Sequence, residues 1–132
     1  MIKQKAKLPD TNAILRYLLK DHDEHYKKAA SFFEEVRIGK ETVIILESVL
    51  VECVYILTKF YNVPREETAN ILRQFLGYKG IANSDRKDLI DALAFFAESN
   101  LDIVDAILHI KARNNRFTLF TFDRRLAKKQ EN

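Results

Sequence analysis

The apolar stretch from Thr42 to Leu57 constrains the fold of this chain more than any other feature. Its first part, to Leu46, is a short apolar run that predicts a buried strand. The following part predicts a helix in which Glu52 stands among apolar neighbours. An ionised carboxylate in such surroundings loses its hydration, which is costly unless a cation or hydrogen-bond donors replace the water. We therefore expect Glu52 to be buried and to serve a function.

The rest of the chain alternates predicted strands with predicted helices. The strands are expected at 4–9, 42–46, 81–82 and 117–122. The helices are expected from Asp10, over 24–38, from Glu47 to about Tyr61, from Pro64 to Leu76, from 84–85 to 98, over 101–114 and after Asp123. Strands that alternate with helices favour a parallel sheet covered on both faces. We therefore predict a single α/β domain over residues 1–132, with three α/β/α layers around a parallel sheet of four or five strands.

Composition and charge narrow the class of protein. The 132 residues are 47% hydrophobic, enough for a real core, and no stretch predicts a signal peptide or a membrane span. The one cysteine, Cys53, predicts a buried thiol in a reducing cytoplasm. The net charge is only +3, but basic residues crowd the C-terminal end. That end suits a polyanionic ligand, and an ordinary solvated basic tail is an equally open interpretation.

Four carboxylates from distant parts of the sequence are expected at one end of the sheet. Functional residues in open parallel sheets gather beyond the carboxyl ends of the strands. Asp10 follows the first predicted strand and Asp123 the last, whereas Glu52 and Asp105 lie in the early turns of two helices. So many like charges cannot all stay ionised at close range without a cation. Ligands that are all oxygen favour Mg²⁺ or Mn²⁺ over zinc.

Each of these acids also has a purely structural interpretation. Asp10, Asp102 and Asp123 stand where helices begin, and taken singly each is explained by helix capping. Asp105 is harder to explain as a cap because its neighbours are apolar, and Glu52 is the hardest. Among the other residues, we expect His109 to be an ordinary surface histidine or one whose hydrogen bonds are satisfied within the protein. We expect the aromatic side chains to lie in the core rather than to stack on nucleic-acid bases. This applies to the tyrosines at 17 and 55 and to the many phenylalanines.

Four ordered segments together resemble the PIN domain, and within it the small VapC toxins of toxin–antitoxin pairs. The segments are Asp10–Leu18, Glu47–Leu57, Asp102–Leu108 and Thr121–Leu126. The resemblance implies a Mg²⁺- or Mn²⁺-dependent ribonuclease whose catalytic, metal-binding residues are Asp10, Glu52, Asp105 and Asp123. It places Asn12 and Thr121 in supporting positions and Asp102 in a less regular acidic position. The first strand departs from the pattern, because it contains Pro9 and several lysines.

The resemblance also implies partners and a reaction. The expected reaction is hydrolysis of RNA phosphodiester bonds by Mg-activated water, in a cytoplasmic toxin that a cognate antitoxin inhibits. A homodimer is expected, with the apolar helices near 24–38 and 65–76 as candidate surfaces. Five basic residues are candidates to hold the RNA backbone, with ordinary solvated charge as the alternative for each. They are Arg16, Lys111, Arg113, Arg124 and Arg125.

Three other functions stay open at this point. A PIN-type nuclease of RNA processing or decay has the same fold and the same acids. A receiver-like regulatory domain would also bind Mg²⁺ through carboxylates, but it is expected to carry a lysine after its last strand, where this chain has Asp123-Arg124. A non-catalytic interaction domain would use the acids as helix caps, and Glu52 in its apolar run argues against that.

Overall fold

Helices dominate the computed structural model, which describes residues 5–20 and 23–130. Within these ranges, the α-helices are α1 Thr11–Leu19, α2 Asp23–Ile38, α3 Glu47–Tyr55, α4 Arg65–Leu76, α5 Arg86–Glu98, α6 Ile103–Asn115 and α7 Arg124–Gln130. A π-helical turn, Ile56–Phe60, continues α3 without a break. The predicted helices are therefore confirmed, with ends that differ by a residue or two.

The helix ends carry the local signals that the sequence predicts. The Asp10 carboxylate accepts a hydrogen bond from the Ala13 N–H at 2.8 Å and caps α1. Asp102 caps α6 through a hydrogen bond from the N–H of the next residue, Ile103, at 2.7 Å. Gly39 ends α2 with a φ of 89°, a conformation that a side chain would strain. Asp85 precedes α5, but its side chain makes no capping hydrogen bond.

Three backbone segments lie side by side in parallel, with Val43 in the middle. Lys7 forms a bridge to Val43 on one side and Ile81 forms a bridge to it on the other. The Asn83 side chain extends this pairing, because it accepts from the Ile45 N–H at 2.8 Å and donates to the Ile45 carbonyl at 2.7 Å. The predicted parallel arrangement of the first three strands is thus present, but as isolated bridges.

The predicted sheet of four or five strands is not confirmed within residues 5–20 and 23–130. Residues 117–122 take part in no β-bridge there. The side chains of Phe120 and Phe122 are 84% and 92% exposed. A strand is stable only beside a partner that completes its ladder and covers one of its faces, and this segment has neither. Residue 4 of the first predicted strand lies outside the described residues, and the full sheet stays a prediction.

The core is one cluster to which both halves of the chain contribute, and in the second half α5 packs on both α4 and α6. The prediction of core aromatics is confirmed for Tyr17 and for the phenylalanines at 33, 75 and 96, which are buried. It is wrong for Tyr55 and Phe60 and for the phenylalanines at 117, 120 and 122, which are exposed. In the part of the chain that the structure describes, no helix has the length and apolar character needed to cross a membrane.

Candidate acidic site

Three of the predicted acids lie at the beginnings of α6 and α7, and two of them act electrostatically on the third, Asp105. Asp102 caps α6, and Asp105 lies half-buried in the first turn of that helix. The Asp123 carboxylate accepts from the Arg125 N–H at 2.9 Å and so orients the start of α7. Burial raises the pKa of Asp105, and the negative charges of Asp123 and Asp102 raise it further, whereas Arg125 partly offsets them. Two distant parts of the sequence thus bring three carboxylates within electrostatic range.

Tyr55 connects this cluster to the helix that carries Glu52. Its hydroxyl lies 2.9 Å from both carboxylate oxygens of Asp102. The hydrogen bond to Asp102 is the largest cause that raises the pKa of Tyr55, ahead of burial and of the charges on Asp102 and Asp105. The phenol therefore stays protonated and donates to the acid. This contact fixes the α6 N-terminus to the C-terminal turn of α3.

Glu52 itself is exposed, which overturns the expectation of a buried carboxylate. Ser48, Glu52, Tyr55 and Lys59 recur at helical spacing and are all exposed, so the helix has a solvent face. The apolar neighbours of Glu52 in the sequence, including Cys53, point to other sides of the helix. Glu52 therefore keeps its hydration, and burial gives no argument for its function.

Asp10 and Glu52 are not drawn into one compact cluster with the other acids. Among the described residues, no three His, Cys, Asp or Glu side chains are close enough to hold a metal ion together. Asp10 precedes α1 and Glu52 lies in α3. These two helices pack on each other, and α3 also packs on α6, which carries Asp105. The role of Asp10 visible in the structure is the α1 cap, and its role in a metal site stays a prediction.

The predicted supporting residues differ in what they contact. The Thr121 hydroxyl accepts a hydrogen bond from the Asp123 N–H at 3.0 Å, so it fixes the backbone that carries this acid. Asn12 is exposed in the first turn of α1. It lines a cavity between α1 and α2, together with Arg16 and Phe32. Thr121 thus has a direct structural link to the acidic cluster.

The predicted RNA-binding cations also differ. Arg113, Arg124 and Arg125 are exposed. Lys111 is already paired, because its ammonium lies 2.9 Å from Glu47 and 3.2 Å from Asp85. These two acids raise its pKa, although burial opposes them. Lys111 therefore joins the segments that follow the bridged residues 43 and 81.

His109 is a satisfied histidine, as the sequence predicts. It is buried, its ring stacks on Phe95 with centroids 4.3 Å apart, and it hydrogen-bonds Gln130 of α7. Burial is the main cause that lowers its pKa, and the charges of Arg113 and Lys129 lower it further. His109 thus holds α7 against α6 and lies outside the acidic cluster.

The sequence does not predict a role at this site for two residues, Tyr55, which is expected in the core, and Arg65. Tyr55 stands one helical turn after Glu52, a spacing that places both on one face. Arg65 opens α4, and its guanidinium donates to the carbonyls of Phe96 and Leu101 at 2.8 and 2.5 Å. Spacing was the available signal for Tyr55. No local sequence pattern predicts the long-range contacts of Arg65.

Sequence comparison identifies the family to which this chain belongs. The model of the PIN domain family matches residues 7–132, and the chain belongs to that family. A VapC ribonuclease of Aquifex aeolicus (strain VF5) is 27% identical over 124 residues, which cover 92% of this chain and 90% of that protein. No solved structure matches the chain. The predicted family is thereby confirmed.

Proposed function

We propose that this protein is a metal-dependent endoribonuclease and the toxin of a toxin–antitoxin pair. Membership of the PIN family and the similarity to a VapC ribonuclease support a nuclease of this kind. The observation that carries the proposal is that Asp105 is partly buried near Asp123 and Asp102, so that burial first and then these two charges raise its pKa. Like charges at close range cost stability, and a divalent cation relieves that cost while it binds phosphate.

The donor set fits Mg²⁺ or Mn²⁺, because all of its ligand atoms are carboxylate oxygens. Mg²⁺ commonly keeps several waters and binds through one or two carboxylates, so a compact group of three protein ligands is not required. We assign Asp105 and Asp123 as the core of the metal site, with Asp10 and Glu52 as further ligands directly or through water. The chemistry that the bound ion supplies is activation of water and neutralisation of phosphate charge.

The chain's own side chains position the reactants around this edge. Arg125 lies near enough to Asp105 to lower its pKa, and we propose that its exposed guanidinium binds a phosphate beside the acids. Tyr55 holds the Asp102 carboxylate, and Thr121 fixes the backbone at Asp123. These contacts orient two acids before the substrate arrives, and the scissile phosphate binds between the carboxylates and Arg125.

The test of the proposal is cleavage of single-stranded RNA with Mg²⁺ by Asp105→Asn and by Glu52→Gln. Both changes keep the shape of the side chain and remove its charge. We expect each to lower kcat/KM by about a hundredfold or more. The matched control is Asp88→Asn, because Asp88 hydrogen-bonds Asn114 at the opposite end of α6. Full activity of both variants would refute the proposed site.

The toxin assignment needs a separate test, because a PIN nuclease of RNA processing or decay would carry the same acids. We propose that the chain acts on RNA in the cytoplasm, as a homodimer that a cognate antitoxin inhibits. Expression of the wild type should then arrest growth, and expression of Glu52→Gln should not. Normal growth with an active purified enzyme would favour the processing nuclease. The receiver-like alternative is disfavoured by the match to the PIN family.

A further inference from the structure

A cleft of about 600 Å³ opens between the end of α3 and the turn that joins α5 to α6. Tyr55 and Asp102 line it, and their hydrogen bond places it beside the acidic cluster. Its volume falls within the range of roughly 300–1,000 Å³ that small-molecule sites occupy. A molecule in this cleft would therefore contact Tyr55 and Asp102, which lie beside the proposed catalytic acids.

Four polar side chains of the cleft differ from Tyr55, Arg65 and Asp102, which are hydrogen-bonded within the protein. Lys59, Asn62, Asn100 and Arg125 line the cleft, and within residues 5–20 and 23–130 the structure gives none of these side chains a hydrogen bond or an ion pair. Each asparagine amide offers two donors and an acceptor, the groups that recognise the edge of a nucleobase. The two cations suit phosphate. This combination fits a nucleotide better than an apolar ligand.

The wall of the cleft is held in place by Arg65. Its guanidinium donates to the carbonyls of Phe96, Ser99 and Leu101 at 2.8, 3.2 and 2.5 Å, and lies 3.7 Å over the Phe96 ring. These contacts fix the turn on both sides of Asn100. The backbone that carries Asn100 is therefore ordered before binding, which reduces the conformational entropy that is lost when a ligand arrives.

Tyr55 adds an aromatic surface at the mouth of the cleft. Its side chain is 36% exposed although its hydroxyl is held by Asp102. Unpaired bases of RNA commonly stack on aromatic side chains. An RNA duplex keeps its bases stacked on one another, so only a single-stranded nucleotide can enter.

We infer that this cleft is a subsite for one unpaired nucleotide of the RNA, next to the phosphate that is cut. Asn100 and Asn62 would bind the edge of the base, Tyr55 would contact its face, and Lys59 and Arg125 would bind the adjoining phosphates. This inference rests on the proposed function and adds to it, because it gives the nuclease a contact that distinguishes bases.

The inference is tested by binding of a labelled, short single-stranded RNA to the full chain in EDTA, where cleavage does not occur. We expect Asn100→Ala and Lys59→Ala each to raise Kd about tenfold. We also expect Lys59→Ala to reduce the salt dependence of log Kd by about one. Asn70→Ala and Lys27→Ala are matched controls on exposed faces of α4 and α2, and they should keep the wild-type Kd.

A second substitution at Asn100 and the cleavage pattern of the wild type give two further tests of the subsite. Asn100→Asp keeps the side-chain shape at an exposed position and adds a negative charge, so it should weaken binding more than Asn100→Ala does. When the wild type cleaves a pool of RNA sequences, Asn100→Ala should relax the base preference at one position beside the cut. Equal affinity for single-stranded and duplex RNA would overturn the subsite.

The failure of the subsite can be told apart from the failure of the proposed function. If the wild type cleaves RNA, and Asn100→Ala and Lys59→Ala bind and cleave RNA equally well, then only the subsite is overturned. A wild type that binds single-stranded RNA through Asn100 and Lys59 but cleaves none supports the subsite and overturns the nuclease.

Discussion

The hydroxyl of Tyr55 lies 2.9 Å from both oxygens of the Asp102 carboxylate, and this contact joins two helices that the sequence places far apart. Tyr55 stands one turn after Glu52 on α3, and Asp102 caps α6 one turn before Asp105. The hydrogen bond therefore sets the spacing between the helix of one proposed catalytic acid and the helix of another.

Removal of this hydroxyl is expected to loosen that connection. Tyr55→Phe should lower the free energy of unfolding by about 1 kcal/mol, the usual contribution of one hydrogen bond. It should also lower RNA cleavage, because Asp102 loses its fixed orientation. Urea unfolding and initial cleavage rates measure the two effects. Tyr26→Phe on α2 is the control, and equal stability of the two variants would argue that the contact contributes nothing.

Arg65 should tolerate no conservative replacement. Arg65→Lys keeps the positive charge but loses the planar group that stacks on Phe96 and whose one nitrogen, Nη2, lies within reach of three carbonyls. We expect a loss of about 1–3 kcal/mol in the free energy of unfolding, because buried carbonyls are left without a donor. Arg73→Lys, on an exposed position of α4, should change stability little. Similar denaturation midpoints for both variants would contradict the proposed clamp.

The raised pKa of Asp105 predicts a pH dependence of stability with a definite sign. Its folded-state pKa lies above the ordinary value of 3.8, so the folded protein binds this proton more tightly than the unfolded chain does. Asp105 therefore costs stability as the pH rises through its folded pKa. Asp105→Asn should gain stability over the wild type at neutral pH and lose that advantage below pH 3.8. Urea unfolding at both pH values tests this, and an advantage that does not change with pH would contradict it.

A divalent cation should relieve the repulsion between Asp105 and the carboxylates of Asp123 and Asp102. Mg²⁺ at a hundredfold excess over its Kd stabilises a folded protein that binds it by about 2.7 kcal/mol. We therefore expect Mg²⁺ or Mn²⁺ to raise the melting temperature of the wild type and to affect Asp105→Asn much less. Sodium chloride of equal ionic strength is the control for screening. A wild-type melting temperature that ignores both ions would count against a metal site at these acids.

The buried thiol of Cys53 should resist alkylation. Burial is the main cause that raises its pKa to about 12, and the charge of Glu52 contributes less. The folded protein should therefore react slowly with iodoacetamide at pH 8, and the urea-unfolded protein should react at the rate of a free cysteine. Glu52→Gln should preserve this protection. Rapid labelling of the native protein, followed by mass spectrometry, would be inconsistent with the buried position.

Much of the acidic site follows from local sequence signals. A helix cap needs only contacts within a few residues, so Asp10 and Asp102 could be placed at helix starts from the sequence alone. The helix of Asp105 and the turn at Asp123 were predicted in the same way, and the structure brings these two acids into electrostatic range. The sheet was predicted less well, because pairing between strands depends on distant segments.

The face on which Glu52 lies was decided by tertiary structure. Apolar residues beside it in the sequence predict burial, but neighbours at i±1 point to other sides of a helix. Packing of α3 on α1 and α6 left the face of Ser48, Glu52 and Tyr55 open. The sequence by itself determined which acids begin helices and which helices form, since these depend on local contacts. Only the tertiary structure decided that Tyr55 contacts Asp102 and that Arg65 holds the turn before α6. The first contact joins residues that are 47 positions apart in the sequence, and the contacts of Arg65 join residues that are 31 and 36 positions apart.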